Sequence, residues 1–116
     1  IKMKEQAEEL IDKSNSILNS EGKGMMELIK TIEEVIDNET LYGNEGQIID
    51  ILMDLIKDYN DRAIELIDMG NSREQAEGLG MIRVTEPITK LINIDGEIST
   101  DNEIIDMIYD LIINNR

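Results

Sequence analysis

The sequence predicts an all-α fold, a single-domain helical bundle or array of about five helices spanning residues 1–116. Three observations predict it. Apolar residues recur at three- and four-residue steps through almost the whole chain. Turn formers are grouped into a few short stretches, so long helices are joined by short connections. The 22 Ile and 10 Leu of a chain that is 41% hydrophobic supply a core, which a disordered acidic tail lacks. At 116 residues one compact domain is the default.

The elements follow from the N-terminus. Met3, Ala7, Leu10, Ile11, Ile17 and Leu18 form the first helical stripe, and Gly22 and Gly24 punctuate the chain as an interhelical turn. Met25, Leu28, Ile29, Ile32, Val35 and Ile36 form the second stripe. Asp37 to Gly46, DNETLYGNEG, reads as a loop. The third segment, about Gln47 to Met69, is the longest and is apolar over much of its circumference, which predicts the central helix. Gly70 suits a left-handed C′ residue. Asn71 with Glu74 makes a capping box for a short helix that Gly78 and Gly80 end. Thr85-Glu86-Pro87 reads as a second start, because proline is tolerated in a first turn. Asp95-Gly96 is a turn, and Thr100 with Glu103 boxes a final helix burying Ile104, Ile105, Ile108, Leu111 and Ile112. No internal repeat, low-complexity tract or long linker stands out.

Composition excludes much chemistry. With no His and no Cys, zinc sites, imidazole bases, thiol nucleophiles, haem attachment and disulfides are absent. Absent cysteine fits a reducing, cytoplasmic setting. No apolar run approaches the roughly 18 residues that cross a bilayer, and no signal-peptide pattern opens the chain. A start at Ile1 rather than Met fits a fragment. With 26 acidic against 11 basic residues the net charge is −15, which repels nucleic acid and anionic lipid and favours basic protein surfaces or cations. Aromatics are 3%, all Tyr, so base-stacking platforms are missing.

Several motifs carry less than their letters suggest. Gly22-Lys23-Gly24 lacks the G-x-x-x-x-G-K-S/T spacing that wraps phosphates. Asn93, Asp95, Gly96 and Ile98 match inner positions of a calcium loop, but Leu91 and Asn102 occupy its two ends. Met25, Met26, Met53, Met69, Met81 and Met107 read as core filling rather than an adaptable groove. The serines have no general base. Tyr59 is expected half-buried with its hydroxyl at the edge. No catalytic residue, cofactor or metal site is expected.

One pattern points to binding. Asp50, Asp54, Asp58, Asp61, Glu65 and Asp68 step by 4, 4, 3, 4 and 3, which places them on one helical face. Like charges at this spacing destabilise a helix by roughly 0.2–0.5 kcal/mol per pair, and Lys57 and Arg62, expected alongside, offset some of it. The stripe is either a solvated face or a docking surface for a basic partner.

Tyr42 to Gly70 carries a family likeness. Gln47 leads into Ile51-Leu52-Met53-Asp54-Leu55-Ile56, then Tyr59-Asn60-Asp61-Arg62-Ala63-Ile64-Glu65-Leu66 and Gly70. With Leu18 to Ile36 before it and Val84-Thr85-Glu86 after it, the chain resembles the C-terminal helical domain of the catalytic subunit of V-type/A-type ATPases. It departs where that family has a polar Gln-Gln/Asn-Ala-Phe segment, here Asp37-Asn38-Glu39-Thr40, and the connection at Asn71 to Arg83 is longer. The resemblance implies a rotor-facing coupling role without hydrolysis. The residues themselves predict a non-enzymatic protein-interaction module. A small acidic inhibitor or immunity-type protein that blocks a basic nucleic-acid-binding effector is the alternative, and self-association stays open.

Overall fold

The computed structural model describes residues 2–38 and 43–113. These contain five helices and no strand: α1 (Met3–Ile11), α2 (Ser16–Asp37), α3 (Glu45–Met69), α4 (Ser72–Asp95) and α5 (Asp101–Ile112). The fold is an all-α bundle. Part of the loop expected at Asp37 to Gly46 lies outside the described residues.

Caps set the helix starts. Asn15 accepts hydrogen bonds from the backbone N–H groups of Ile17 and Leu18. Reciprocal boxes open the last three helices, from Asn44 and Gln47, Asn71 and Glu74, and Thr100 and Glu103.

The glycines depart from the sequence reading. Gly22 and Gly24 lie inside α2, and Gly78 and Gly80 inside α4. All four are buried, and none makes a turn. A Cβ on Gly22 would sit 2.8 Å from the Ala7 carbonyl oxygen of α1, and one on Gly78 2.7 Å from that of Ala63 in α3. A Cβ on Gly24 would overlap the Glu77 carbonyl, and one on Gly80 the Glu21 carbonyl. The glycines therefore let backbones approach across helix crossings, a tertiary demand outweighing their cost in a helix interior of about 1 kcal/mol relative to Ala.

Four further expectations are corrected. Pro87 does not start a helix; it lies within α4, which runs unbroken through Thr85-Glu86-Pro87. Gly70 is extended (φ −85°, ψ 166°) rather than left-handed. Asn71 must cap α4 at once, and a Cβ at Gly70 would meet Leu66 O and Glu74 Cβ at 2.5 Å. Nor is α3 the central helix. It buries only Ile48, Leu52, Ile56 and Ala63, whereas α2 buries eight residues and shares its largest interface with α4. Met53 and Met69 of α3 are 48% and 82% exposed, so they do not fill the core as Met25 and Met81 do.

The reciprocal glycine contacts reveal a repeat that the apolar pattern conceals. Shifting the sequence by 56 residues places AEELIDKSNSILNSEGKGM (7–25) on AIELIDMGNSREQAEGLGM (63–81), and NEGQIIDILMDLI (44–56) on TDNEIIDMIYDLI (100–112). Nineteen of the 60 overlapping positions are identical. The matches include Gly, Asn, Ser and Glu, which amphipathicity alone does not specify, so the likeness is not merely helical periodicity. The chain is a tandem duplication of a three-helix unit. Its halves face each other as subunits do in an isologous dimer, since Gly24 abuts Glu77 as Gly80 abuts Glu21.

The halves join inside α3, which ends one unit and begins the next. On the far side α5 and α1 occupy the matching places as separate helices, tied by Lys2 to Asp110 at 3.5 Å. The matching residues in α3, Asp58 and Asp54, are simply one turn apart.

A polar cluster is shared between the halves with its parts exchanged. Arg83 of α4 lies 2.9 Å from Glu21 and 3.5 Å from Gln6. At the equivalent place Arg62 lies 2.9 Å from Glu27 and 4.0 Å from Glu77. Positions 6 and 62, 21 and 77, and 27 and 83 correspond, so each cluster keeps one arginine but draws it from a different position.

Candidate functional site

The acidic stripe is real in three dimensions. Asp50, Asp54, Asp58, Asp61, Glu65 and Asp68 all lie on α3, and all six are exposed. At 1.5 Å of rise per residue they span about 27 Å. None of the six forms an ion pair among the described residues. Neither Lys57 nor Arg62 forms an ion pair with the stripe. Arg62 reaches across to Glu27 of α2, and its guanidinium lies 6.0 Å from the Tyr59 ring centroid. Lys57 borders a cleft instead. Tyr59 is half-buried, and its hydroxyl sits 3.4 Å from both Thr31 Oγ1 and Glu27 Oε1.

Sequence reasoning missed that the stripe occurs twice. Asp61, Glu65 and Asp68 correspond to Glu5 and Glu9 on α1 and to Asp12 at its C-cap, and Asp50 and Asp54 to Asp106 and Asp110 on α5. These five are exposed as well. Only Asp58 lacks an acidic counterpart, because Lys2 stands there. The 56-residue offset was the available signal; reading each helix by itself hid it.

A second feature lies between α3 and α4, a cleft of about 540 Å³. Met53, Ile56, Ile82 and Ile92 line its apolar wall. Asn60, Thr85 and Thr89 supply neutral polar groups, and Lys57, Glu86 and Lys90 supply charge. Thr85 is only 1% exposed, and its hydroxyl is 3.4 Å from both Asn60 Oδ1 and the Ile82 carbonyl oxygen. Thr89 donates to the Thr85 carbonyl oxygen at 2.8 Å. Lys90 lies 3.2 Å from Glu86.

The decoy motifs resolve into helix. Gly22-Lys23-Gly24 is mid-helix, while Asn93 and Asp95 close the last turn of α4 with Gly96 as its C-cap. Among the described residues no group of three acidic side chains is arranged to hold a metal ion, and no helix is long and apolar enough to cross a membrane. The Glu103 carboxyl pKa is held below its ordinary value. The Thr100 backbone N–H and then its hydroxyl lower it by hydrogen-bonding the carboxylate. This effect belongs to a helix cap, not to a reaction centre.

No protein-family model, curated protein or solved structure matches the chain.

Proposed function

We propose that this chain is a non-enzymatic acidic helical module that binds a basic protein surface through α3. The observation that carries the reading is the row of six exposed carboxylates without an ion-pair partner among the described residues. Such a row costs helix stability through like-charge repulsion. A cationic surface laid along it would relieve that repulsion and speed encounter. The absence of cysteine supports a cytoplasmic setting for this role.

The test is an affinity capture with the tagged chain at low and raised salt, followed by the triple variant Asp54→Lys, Asp58→Lys, Asp61→Lys. A basic partner should be released by salt and should bind the folded triple variant more weakly. Unchanged affinity would remove α3 as the docking face. Capture of a nuclease or other nucleic-acid-binding effector would sharpen the reading to an inhibitor or immunity-type protein.

A further inference from the structure

We propose that the cleft between α3 and α4 binds a small anionic amphiphile, an apolar chain bearing one carboxylate. This cleft lies where the duplicated halves have diverged, and its role is independent of the acidic docking face.

The first half has matching positions, but they are filled differently. Ile29, fully buried, stands where the cleft has Thr85. Lys4 and Glu33, paired at 3.1 Å, stand where it has Asn60 and Thr89. Two long side chains that lie together in one half are thus two short ones in the other, which leaves room between the helices.

The charge changes with the shape. Thr89, Lys90 and Asn93 replace the residue types of Glu33, Glu34 and Asp37. The charged residues at these positions are Lys4, Lys30, Glu33, Glu34 and Asp37 in the first half, a balance of −1. Around the cleft they are Lys57, Glu86 and Lys90, a balance of +1. Within a chain of net charge −15 this cleft is lined by one carboxylate where the first half has three, and by two lysines, at other positions than the two of the first half.

The fit to the ligand follows part by part. The aliphatic tail lies along Met53, Ile56, Ile82 and Ile92, where burial removes apolar surface from water. The unbranched Met53 at 48% exposure adapts to the length of the tail. The carboxylate meets Lys57 and Lys90. Lys57 has no ion-pair partner among the described residues, and the Lys90–Glu86 pair is exposed and easily shared. The cleft volume lies within the range typical of small-molecule sites.

The test is an NMR titration of the full chain with sodium octanoate, with 1-octanol as the uncharged comparison. Octanoate should shift the methyl signals of Met53, Ile56, Ile82 and Ile92 saturably. Lys57→Gln with Lys90→Gln should weaken octanoate by about fivefold and leave 1-octanol unchanged. Asn60→Lys with Thr89→Glu installs the pair that the first half already accommodates, and it should abolish the shifts while the circular dichroism spectrum stays helical. Absence of saturable shifts with octanoate would overturn the proposal. So would equal octanoate affinity in the lysine variant, or shifts confined to residues outside the cleft.

Discussion

Two glycines show how one missing carbon sets a helix crossing. Gly24 and Gly80 each face the carbonyl of a glutamate on the opposite helix, and each stands where a Cβ would meet main chain. Main chain cannot rotate away as a flexible side chain can. Gly24→Ala or Gly80→Ala should therefore lower the free energy of unfolding by about 1–3 kcal/mol in a urea titration, despite alanine's better helix propensity. Gly46 is the contrast. It is helical, and a Cβ there would make only ordinary contacts at 3.4 Å. Gly46→Ala should raise stability by about 0.5–1 kcal/mol in the same assay. Glu103 gives a pH prediction. Its folded pKa lies below its unfolded value, so the ionised cap contributes stability above the unfolded value. That contribution is lost as pH falls from the ordinary glutamate range through the folded value. A carboxyl NMR titration should give a midpoint below the ordinary one in the native chain, returning towards it in Thr100→Ala. That variant should also lose about 1 kcal/mol of stability with its cap.

Among elements, α4 departs furthest from the local signals in its own sequence. Gly78, Gly80 and Pro87 read as two breaks, yet Ser72–Asp95 is one helix. Its continuity comes from neighbours on two sides, with α2 against Gly80 and α3 against Gly78. Pro87 still leaves the Arg83 carbonyl without its helical donor. Pro87→Ala restores that donor and should raise the urea midpoint, with a gain of about 1 kcal/mol or more. Capping signals fared better than breaker signals. Asn71 with Glu74 and Thr100 with Glu103 form the expected boxes, because a cap depends on residues three apart and not on distant packing. The long apolar run of α3 misled for the opposite reason. Ile49, Ile51 and Leu55 are half-buried and Met53 is exposed, so its apolar breadth serves the flank of a core whose centre is α2 against α4.

At the scale of the whole molecule, a pseudo-twofold arrangement doubles both the cap pattern and the acidic stripe. Carboxylates therefore line α3 and, separately, α1 and α5. A net charge of −15 makes the compact state repel itself. Raising NaCl from about 0.01 M to about 1 M shortens the Debye length from about 30 Å to about 3 Å. The melting temperature should rise over that range, and a fall would show that attractive ion pairs outweigh the repulsion. Helical character, most apolar faces, the caps of α4 and α5 and the six carboxylates of α3 were legible because each depends on spacing within one segment. Periodicity and capping are local physics, and they were sufficient for the fold class. The roles of Gly22, Gly24, Gly78 and Gly80, the unbroken α4, the turning of Arg62 towards Glu27 and the cleft beside Thr85 were decided only by tertiary structure. Each depends on which backbone lies opposite, and the sequence of one segment does not state its neighbour. The duplication belongs to both levels. It is written in the residue letters at an offset of 56, but its physical meaning, two units closed upon each other through glycine contacts, appears only when α2 meets α4.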